Sequence, residues 1–282
     1  MIYVLCSGGL GNQMFQYALY RSLIFAGKQA VFDTSYYKHE TVHSGYEIEK
    51  CFGIKVGEDK NDHFNVVWKF FYSLMARTKK YSFYNIIMEN PQKILDINFV
   101  QNKAVLFGYW QSENYFKTLK NELISELKFQ NISEKSQIMA RKMRKENSIA
   151  IHVRRGDYLK TTQYMNLSET NYYNRAIDYI NEHITNPQYY VFSDEIDWCK
   201  KNMKLPQDKT TYVDFNTGTR SYEDMYLISC SKNAILANSS FSWWAGYLGK
   251  HDIVIRPSKY KVNWSKEQDD MLYPVEWIKI EV

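Results

Sequence analysis

Two adjacent arginines, a glycine and an aspartate close the run His152-Val153-Arg154-Arg155-Gly156-Asp157-Tyr158. The run follows an apolar stretch, Ser148 to Val153, of the kind that forms a buried strand. Ligands of open α/β sheets bind outside the carboxyl ends of strands. A guanidinium grips phosphate through two parallel hydrogen bonds. The chemistry this loop offers is therefore recognition of a phosphorylated ligand. Taken alone, Arg-Arg-Gly-Asp also fits a solvated turn with a surface ion pair, which contributes little.

Three further loops of the same character lie at expected strand ends. Gly8-Gly9-Leu10-Gly11-Asn12-Gln13 follows a strand at Met1–Leu5 and leads into a helix over 14–26. Ser193-Asp194-Glu195 closes a strand at 188–192. Asn238-Ser239-Ser240 follows a strand at 233–236 and opens a helical stretch, where hydroxyls and N–H groups can cradle a phosphate or simply cap the helix. Asp194 can accept hydrogen bonds from a purine edge, or cap a helix.

The elements that must position these loops follow from periodicity. After 148–153 we expect a helix at 168–184 with Ser168 as N-cap, a helix ending near Met203, a strand at 210–213, a helix at 219–230, and a strand at 252–255 stopped by Pro257. Earlier come a strand at 104–107 running into Gly108-Tyr109-Trp110-Gln111-Ser112, a sugar platform or core packing, and helical patterns at 113–127 and 133–145. Alternating β and α units argue for parallel sheets with helices on both faces. The fresh series from Ser148 divides the chain into domains at 1–146 and 147–282. The stretch 64–89 is aromatic and basic, and fits either a core helix or an amphipathic element touching an anionic membrane surface.

Composition excludes several classes. The 282 residues carry a formal net charge of +5 and no block of like charges, which argues against a nucleic-acid partner. Cys6, Cys51, Cys199 and Cys230 show no zinc-site spacing and read as reduced thiols. His39 and His43 lack the pattern of a metal site, and no convincing D-x-D motif appears; no metal or cofactor is expected. No secretory signal and no run long enough to cross a membrane is present, so a cytoplasmic protein is expected. Gly9, Gly11 and Asp33 outline a dinucleotide fingerprint, but Met14 stands at its third glycine position. A nicotinamide-dependent oxidoreductase is thus the alternative to be tested.

The blocks GGLGNQMFQYA at 8–18, HVRRGDY at 152–158, FSDE at 192–195 and NSSFSWWAGYL at 238–248 together resemble the motifs of the α-1,2-fucosyltransferases, glycosyltransferase family eleven. The resemblance runs from residue 1 to about 257, in the family's motif order. It implies an α/β, GT-B-like fold with two Rossmann-like domains facing across a cleft, the N-terminal one on the acceptor side and the C-terminal one binding GDP-fucose. It implies inverting transfer of L-fucose to the 2-hydroxyl of a terminal galactoside in surface polysaccharide or O-antigen synthesis. Related motifs occur in enzymes of α-1,6 and O-linked specificity, which stay open as alternatives. By the same resemblance, Arg154 holds the β-phosphate. His152 and Asp194 face the guanine, and Ser239, Ser240 and Phe241 lie at the diphosphate. Asn12, in the loop with Gly9 and Gly11, reaches the donor near the reacting centre. Arg155 supports Arg154 or the fold. Asp157 is the candidate base; its alternative is an ion pair or turn-capping role for Arg155. A galactose-containing oligosaccharide or a lipid-linked acceptor, with transient contact at the inner face of the membrane, completes the expectation.

Overall fold

Parallel strands buried on both faces are read as unbroken apolar runs, whereas half-exposed strands alternate. Ser148–Val153 is such a run, and every one of its residues is buried. In the computed structural model, which describes residues 1–39, 44–56, 73, 75, 77, 82, 83 and 85–282, it forms a central strand of the second of two units. The units comprise Met1–Gln130 and Asn131–Val282.

In the first unit the elements are β1 (Ile2–Leu5), α1 (Leu10–Phe25), β2 (Ala30–Asp33), α2 (Tyr36–His39), α3 (Ile48–Phe52), β3 (Ser82–Phe83), β4 (Ile86–Met88), β5 (Val105–Phe107) and α4 (Lys120–Glu126). The sheet order is β2-β1-β5-β4-β3. Its pairings are parallel except the β3–β4 ribbon. The carboxyl ends of β1 and β5 are therefore neighbours, and so are the loops that follow them. Helix α1 begins at Leu10, four residues before the expected start, and carries the glycine turn into its first residues. Most of the amphipathic pattern at 64–89 lies outside the described residues, as does His43; the end of that pattern is strand, at β3 and β4.

The second unit contains α5 (Glu134–Lys145), β6 (Ser148–Val153), α6 (Tyr172–His183), β7 (Gln188–Ser193), α7 (Ile196–Asn202), β8 (Thr210–Val213), α8 (Tyr222–Ser229), β9 (Asn233–Ile235), α9 (Ser240–Leu248), β10 (Ile253–Pro257), α10 (Lys266–Leu272) and β11 (Ile278–Ile280). The boundary thus falls before α5 rather than at 146/147. The reason is a set of long-range bonds: buried Glu223 of α8 accepts hydrogen bonds from Ser133, which itself caps α5, and Tyr222 donates to the Asn131 carbonyl at 3.1 Å.

This sheet is parallel throughout, in the order β8-β7-β6-β9-β10-β11. Counted from β6, that is the Rossmann order 3-2-1-4-5-6, with the reversal between β6 and β9. Side chains alternate across a strand. Ile149, Ile151 and Val153 point into the core with Tyr172, Tyr173, Ala176, Ile177 and Ile180 of α6 and Cys199 of α7. Each such fully buried aliphatic side chain contributes about 1.5–3 kcal/mol. The alternate set, Ala150 and His152, points to the opposite face, where the His152 ring lies 5.5 Å from that of Phe241 in α9. Tyr172 and Tyr173 pin strand ends by donating to the carbonyls of Leu236 and His152, at 2.7 and 3.1 Å.

The 168–184 expectation is shortened. Helix α6 starts at Tyr172, and Ser168 sits in a separate 3-10 turn at Leu167–Glu169, where Asn166 accepts its N–H and its hydroxyl. Asx-type local bonding outcompetes the helix there. Pro257 ends β10 from within, as its last paired residue opposite Ile280.

Candidate active site

Topology brings the Arg154 loop and the Asn238-Ser239-Ser240 loop together at the reversal between β6 and β9, the place where Rossmann sheets hold ligands. Tyr158 locks the two loops by donating to the Asn238 carbonyl at 2.9 Å. Asn238 is itself fixed from below, its NH2 donating to the carbonyls of Met165 and Tyr260 at 2.8 and 2.9 Å. The Ser239 hydroxyl accepts the Ser242 N–H at 3.1 Å and so caps α9. That leaves the N–H groups of Ser240 and Phe241, in the first turn, without intrahelical acceptors.

Above this cradle the two arginines have separate tasks. Arg154 stands 2.8 Å from Asp157 and 3.3 Å from Asp194, with about a third of its side chain exposed. Burial works against its charge, but the bond to Asp157 and the charge of Asp194 raise its pKa above the ordinary guanidinium range. Arg155 is turned inward. Its side chain is 12% exposed, its Nε donates to Glu195 at 2.9 Å, its guanidinium covers the Trp198 ring at 4.0 Å, and a further N–H reaches Ser168. The expected support role of Arg155 matches this placement. The partner expected for Asp157 does not: its carboxylate pairs with Arg154, not Arg155, because the i,i+3 turn carries it back over Arg154.

Asp194 binds the loop rather than standing free. Its Oδ1 accepts the Arg155 N–H at 3.0 Å and its Oδ2 faces Arg154. Gly156 permits that approach, since a Cβ there would lie 2.8 Å from Asp194 Oδ2. His152 is buried, and its Nδ1 has no hydrogen-bond partner. Burial, with Arg154 nearby, pushes its pKa down to about 3, so the imidazole is neutral. A buried ring nitrogen with no partner, beside Phe241 and the open end of α9, has room in its hydrogen bonding for a ligand atom.

Asp224 was not singled out by its sequence context, which reads as ordinary acidic residues opening a helix. Burial pushes its carboxyl up to about 7, against the opposing hydrogen bond from Asn216 at 2.9 Å. It can accept or donate a hydrogen bond near neutral pH.

In the first unit, Gly9 is the N-cap of α1, its carbonyl accepting the N–H groups of Asn12 and Gln13 at 2.9 and 3.1 Å; Gly11 is buried in the first turn. The end of α1 that a dinucleotide fingerprint would offer to a pyrophosphate is served from within. Buried Glu47 bonds the Leu10 N–H, and its own N–H donates to Gln13 at 2.9 Å. That bond takes the Leu10 N–H, one of the groups a pyrophosphate would need, which counts against the nicotinamide alternative. Asn12 stays beside the turn, with its side-chain oxygen accepting from Gln111 at 2.8 Å.

Among the described residues no group of three or more His, Cys, Asp or Glu side chains is placed to hold a metal ion, and no helix is long and apolar enough to cross a membrane. Of the four cysteines, Cys6, Cys51 and Cys199 are buried and none is in a disulfide.

Two α/β units built on mainly parallel sheets, one presenting a guanidinium and an open helix end at its topological reversal, define the α/β, GT-B-like fold class. The chain belongs to glycosyl transferase family 11, whose family model matches residues 1–281. It is 32% identical to an alpha-1,2-colitosyltransferase of Escherichia coli, over 98% of this chain and 97% of that protein. It is 27% identical to the O-antigen biosynthesis glycosyltransferase WbnK of Escherichia coli, over 92% and 94%. The fold is similar to that of the fucosyltransferase NodZ from Bradyrhizobium, with a TM-score of 0.54 at 13% identity, covering 88% of this chain and 92% of that one.

Proposed function

We propose that the protein transfers L-fucose from GDP-fucose to the 2-hydroxyl of a terminal galactoside, with inversion and without a metal, in the synthesis of a surface polysaccharide such as O-antigen. The observation that carries the reading is the placement of the Arg154 loop and the open end of α9 on adjacent strand ends at the β6–β9 reversal, joined by the Tyr158–Asn238 hydrogen bond. The acceptor oxygen forms a bond to the fucose anomeric carbon as the bond from that carbon to the β-phosphate oxygen breaks. The electron pair leaves with GDP, and the acceptor proton passes to a base. Negative charge therefore grows on the diphosphate. A guanidinium and oriented N–H dipoles supply what that charge needs.

The second unit is the donor side and the first the acceptor side in this account. Arg154 takes the β-phosphate. Ser239, Ser240 and Phe241 serve the diphosphate through hydroxyl and N–H groups, and His152 offers its unpaired ring nitrogen to the nucleotide. Asp194 and Asp157 hold Arg154 in place until the phosphate shares it. Gly9 and Gly11 shape the turn that carries Asn12, whose amide donates to a substrate oxygen. An acceptor linked to a lipid would bring the protein to the inner face of the membrane.

A second reading differs only in the sugar. The relative at 32% identity is named for colitose, so colitose is the competing transferred sugar. The test offers GDP-fucose and GDP-colitose side by side to a panel of β-galactosides in EDTA, with NMR of the product. Fucosylated product with an α-1,2 linkage supports the first reading. Product from GDP-colitose alone replaces the sugar, a different linkage replaces the acceptor position, and dependence on added divalent metal removes the metal-free mechanism.

A further inference from the structure

The run Tyr109-Trp110-Gln111 closes β5 with an unusual backbone. Trp110 is buried and sits at φ 57°, in the left-handed region that a bulky residue rarely enters. Such strain persists only where the surroundings fix it, and it clusters at functional sites. Here the fixing group is Glu89, at the end of the neighbouring strand β4. Its two carboxylate oxygens accept the N–H groups of Tyr109 and Gln111, at 2.8 and 3.1 Å. Gly108 lies directly against it, for a Cβ at Gly108 would stand 2.3 Å from that of Glu89.

The clamp fixes where Gln111 points. Its side-chain NH2 donates to the Asn12 oxygen at 2.8 Å. The amides of Gln13 and Gln16, farther along α1, are spent on bracing. Gln13 donates to the carbonyls of Gly8 and Gly45 and accepts the Glu47 N–H; Gln16 donates to the Gly108 carbonyl and accepts the Ser7 N–H. Asn12 differs. Its oxygen is taken by Gln111, and among the described residues its NH2 has no hydrogen-bond partner.

We propose that Gln111 is a positioning residue: by occupying the Asn12 oxygen it keeps the Asn12 NH2 over Gly8, where a Cβ would stand 2.8 Å from the nitrogen, as a donor to a substrate oxygen, and Glu89 holds Gln111. The proposal rests on the reading that Asn12 touches substrate. An asparagine amide can flip, and its two faces have opposite polarity. Gln111 decides which face the substrate meets. A glutamate at 111 can only accept, so it would draw the Asn12 NH2 inward and turn the oxygen out. Where a donor was, the substrate oxygen would find an acceptor.

The test is a double-mutant cycle on the full chain, with Gln111→Glu, Asn12→Ala and the pair, read as kcat and KM for GDP-fucose transfer, beside GDP affinity and thermal unfolding. We expect Asn12→Ala and Gln111→Glu each to lower kcat by roughly 10²-fold, the scale of a small misplacement at a reacting centre. We expect Gln111→Glu to cost nothing further once Asn12 is alanine. GDP affinity and unfolding should stay near those of the starting protein. Gln111→Leu, which removes the donor without inverting the polarity, should lose less than Gln111→Glu. Additive losses, an unaffected Gln111→Glu enzyme, or losses that track unfolding would overturn the proposal. A silent Asn12→Ala in an active enzyme would overturn it while leaving the donor assignment standing; absence of transfer from GDP-fucose by the unmodified protein would instead strike the functional reading itself.

Discussion

Asp157 stands 2.8 Å from the Arg154 guanidinium, three residues further along the same loop. With its side chain about half exposed and its charge already matched, it is arranged as a counter-ion that a phosphate can share or displace. A general base contributes roughly 10²–10⁴-fold to a rate. We therefore expect Asp157→Asn to keep kcat within about tenfold and to bind GDP no more weakly than the unmodified protein, since a competing anion has been removed. Steady-state kinetics and calorimetry on this variant decide the matter. A loss of 10²-fold or more in kcat would make Asp157 the base.

The neighbouring arginines should fail in different ways. Arg154→Ala is expected to lose roughly 10²–10³ in rate, by analogy with loss of an oxyanion donor, with little change in unfolding temperature. Arg154→Lys should recover little, because an ammonium cannot reproduce the guanidinium fork. Arg155→Ala removes a partly buried contact set with Glu195, Ser168 and Trp198, so it should cost about 1 kcal/mol of stability or somewhat more. Denaturant unfolding and kinetics on both variants separate the two tasks.

Gly156 serves a close approach. Gly156→Ala should push Asp194 Oδ2 away and loosen Arg154, since the added Cβ would lie 2.8 Å from that oxygen. The expected effect is a rise in KM for the donor of roughly ten- to hundredfold with the fold retained. An unchanged KM would mean that Asp194 moves freely and does not set the position of Arg154.

His152, which is buried, and Asp224, which is partly buried, give the stability curve opposite slopes. The pKa of His152 is lowered to about 3 in the folded protein from 6.5. The unfolded chain then binds more protons between those values, so stability present above about 6.5 is lost as pH falls toward 3. The carboxyl of Asp224 is raised to about 7 from 3.8. Its contribution is present below about 3.8 and is lost as pH rises through 7. His152→Phe should flatten the acid limb, and Asp224→Asn should raise stability at pH 8 relative to pH 5. Unfolding free energies measured across pH on both variants check the two signs.

How far the sequence could be read depended on the kind of interaction involved. Buried parallel strands announce themselves, so β6 was bounded correctly at both ends, and the alternation of β and α units indicated the fold class. The reversal between β6 and β9 was not legible, because strand order depends on packing between elements distant in sequence. Periodicity does not show the start of α6, because the Asn166–Ser168 bonds compete locally with the helix. That the helix α5 joins the second unit was not legible either, because its cap Ser133 bonds to Glu223 of α8, 90 residues away. In the site, residue types identified Arg154 and the Asn238-Ser239-Ser240 loop as a group. Sequence could not tell that Asp157 turns to Arg154, that Glu47 fills the end of α1, or that Gln111 holds Asn12. Each of those is a long-range or turn-dependent bond between side chains whose types fit many roles.

The most direct test of the central claim, that Arg154 and the start of α9 hold the diphosphate of a guanine-nucleotide donor, is calorimetric titration of GDP into the unmodified protein and into Arg154→Ala, with EDTA present throughout. The account predicts saturable binding in EDTA and an affinity lower by at least about tenfold in the variant, the scale of one lost charge-assisted hydrogen bond. No saturable binding of GDP in EDTA, or equal affinity in the two proteins, would contradict it.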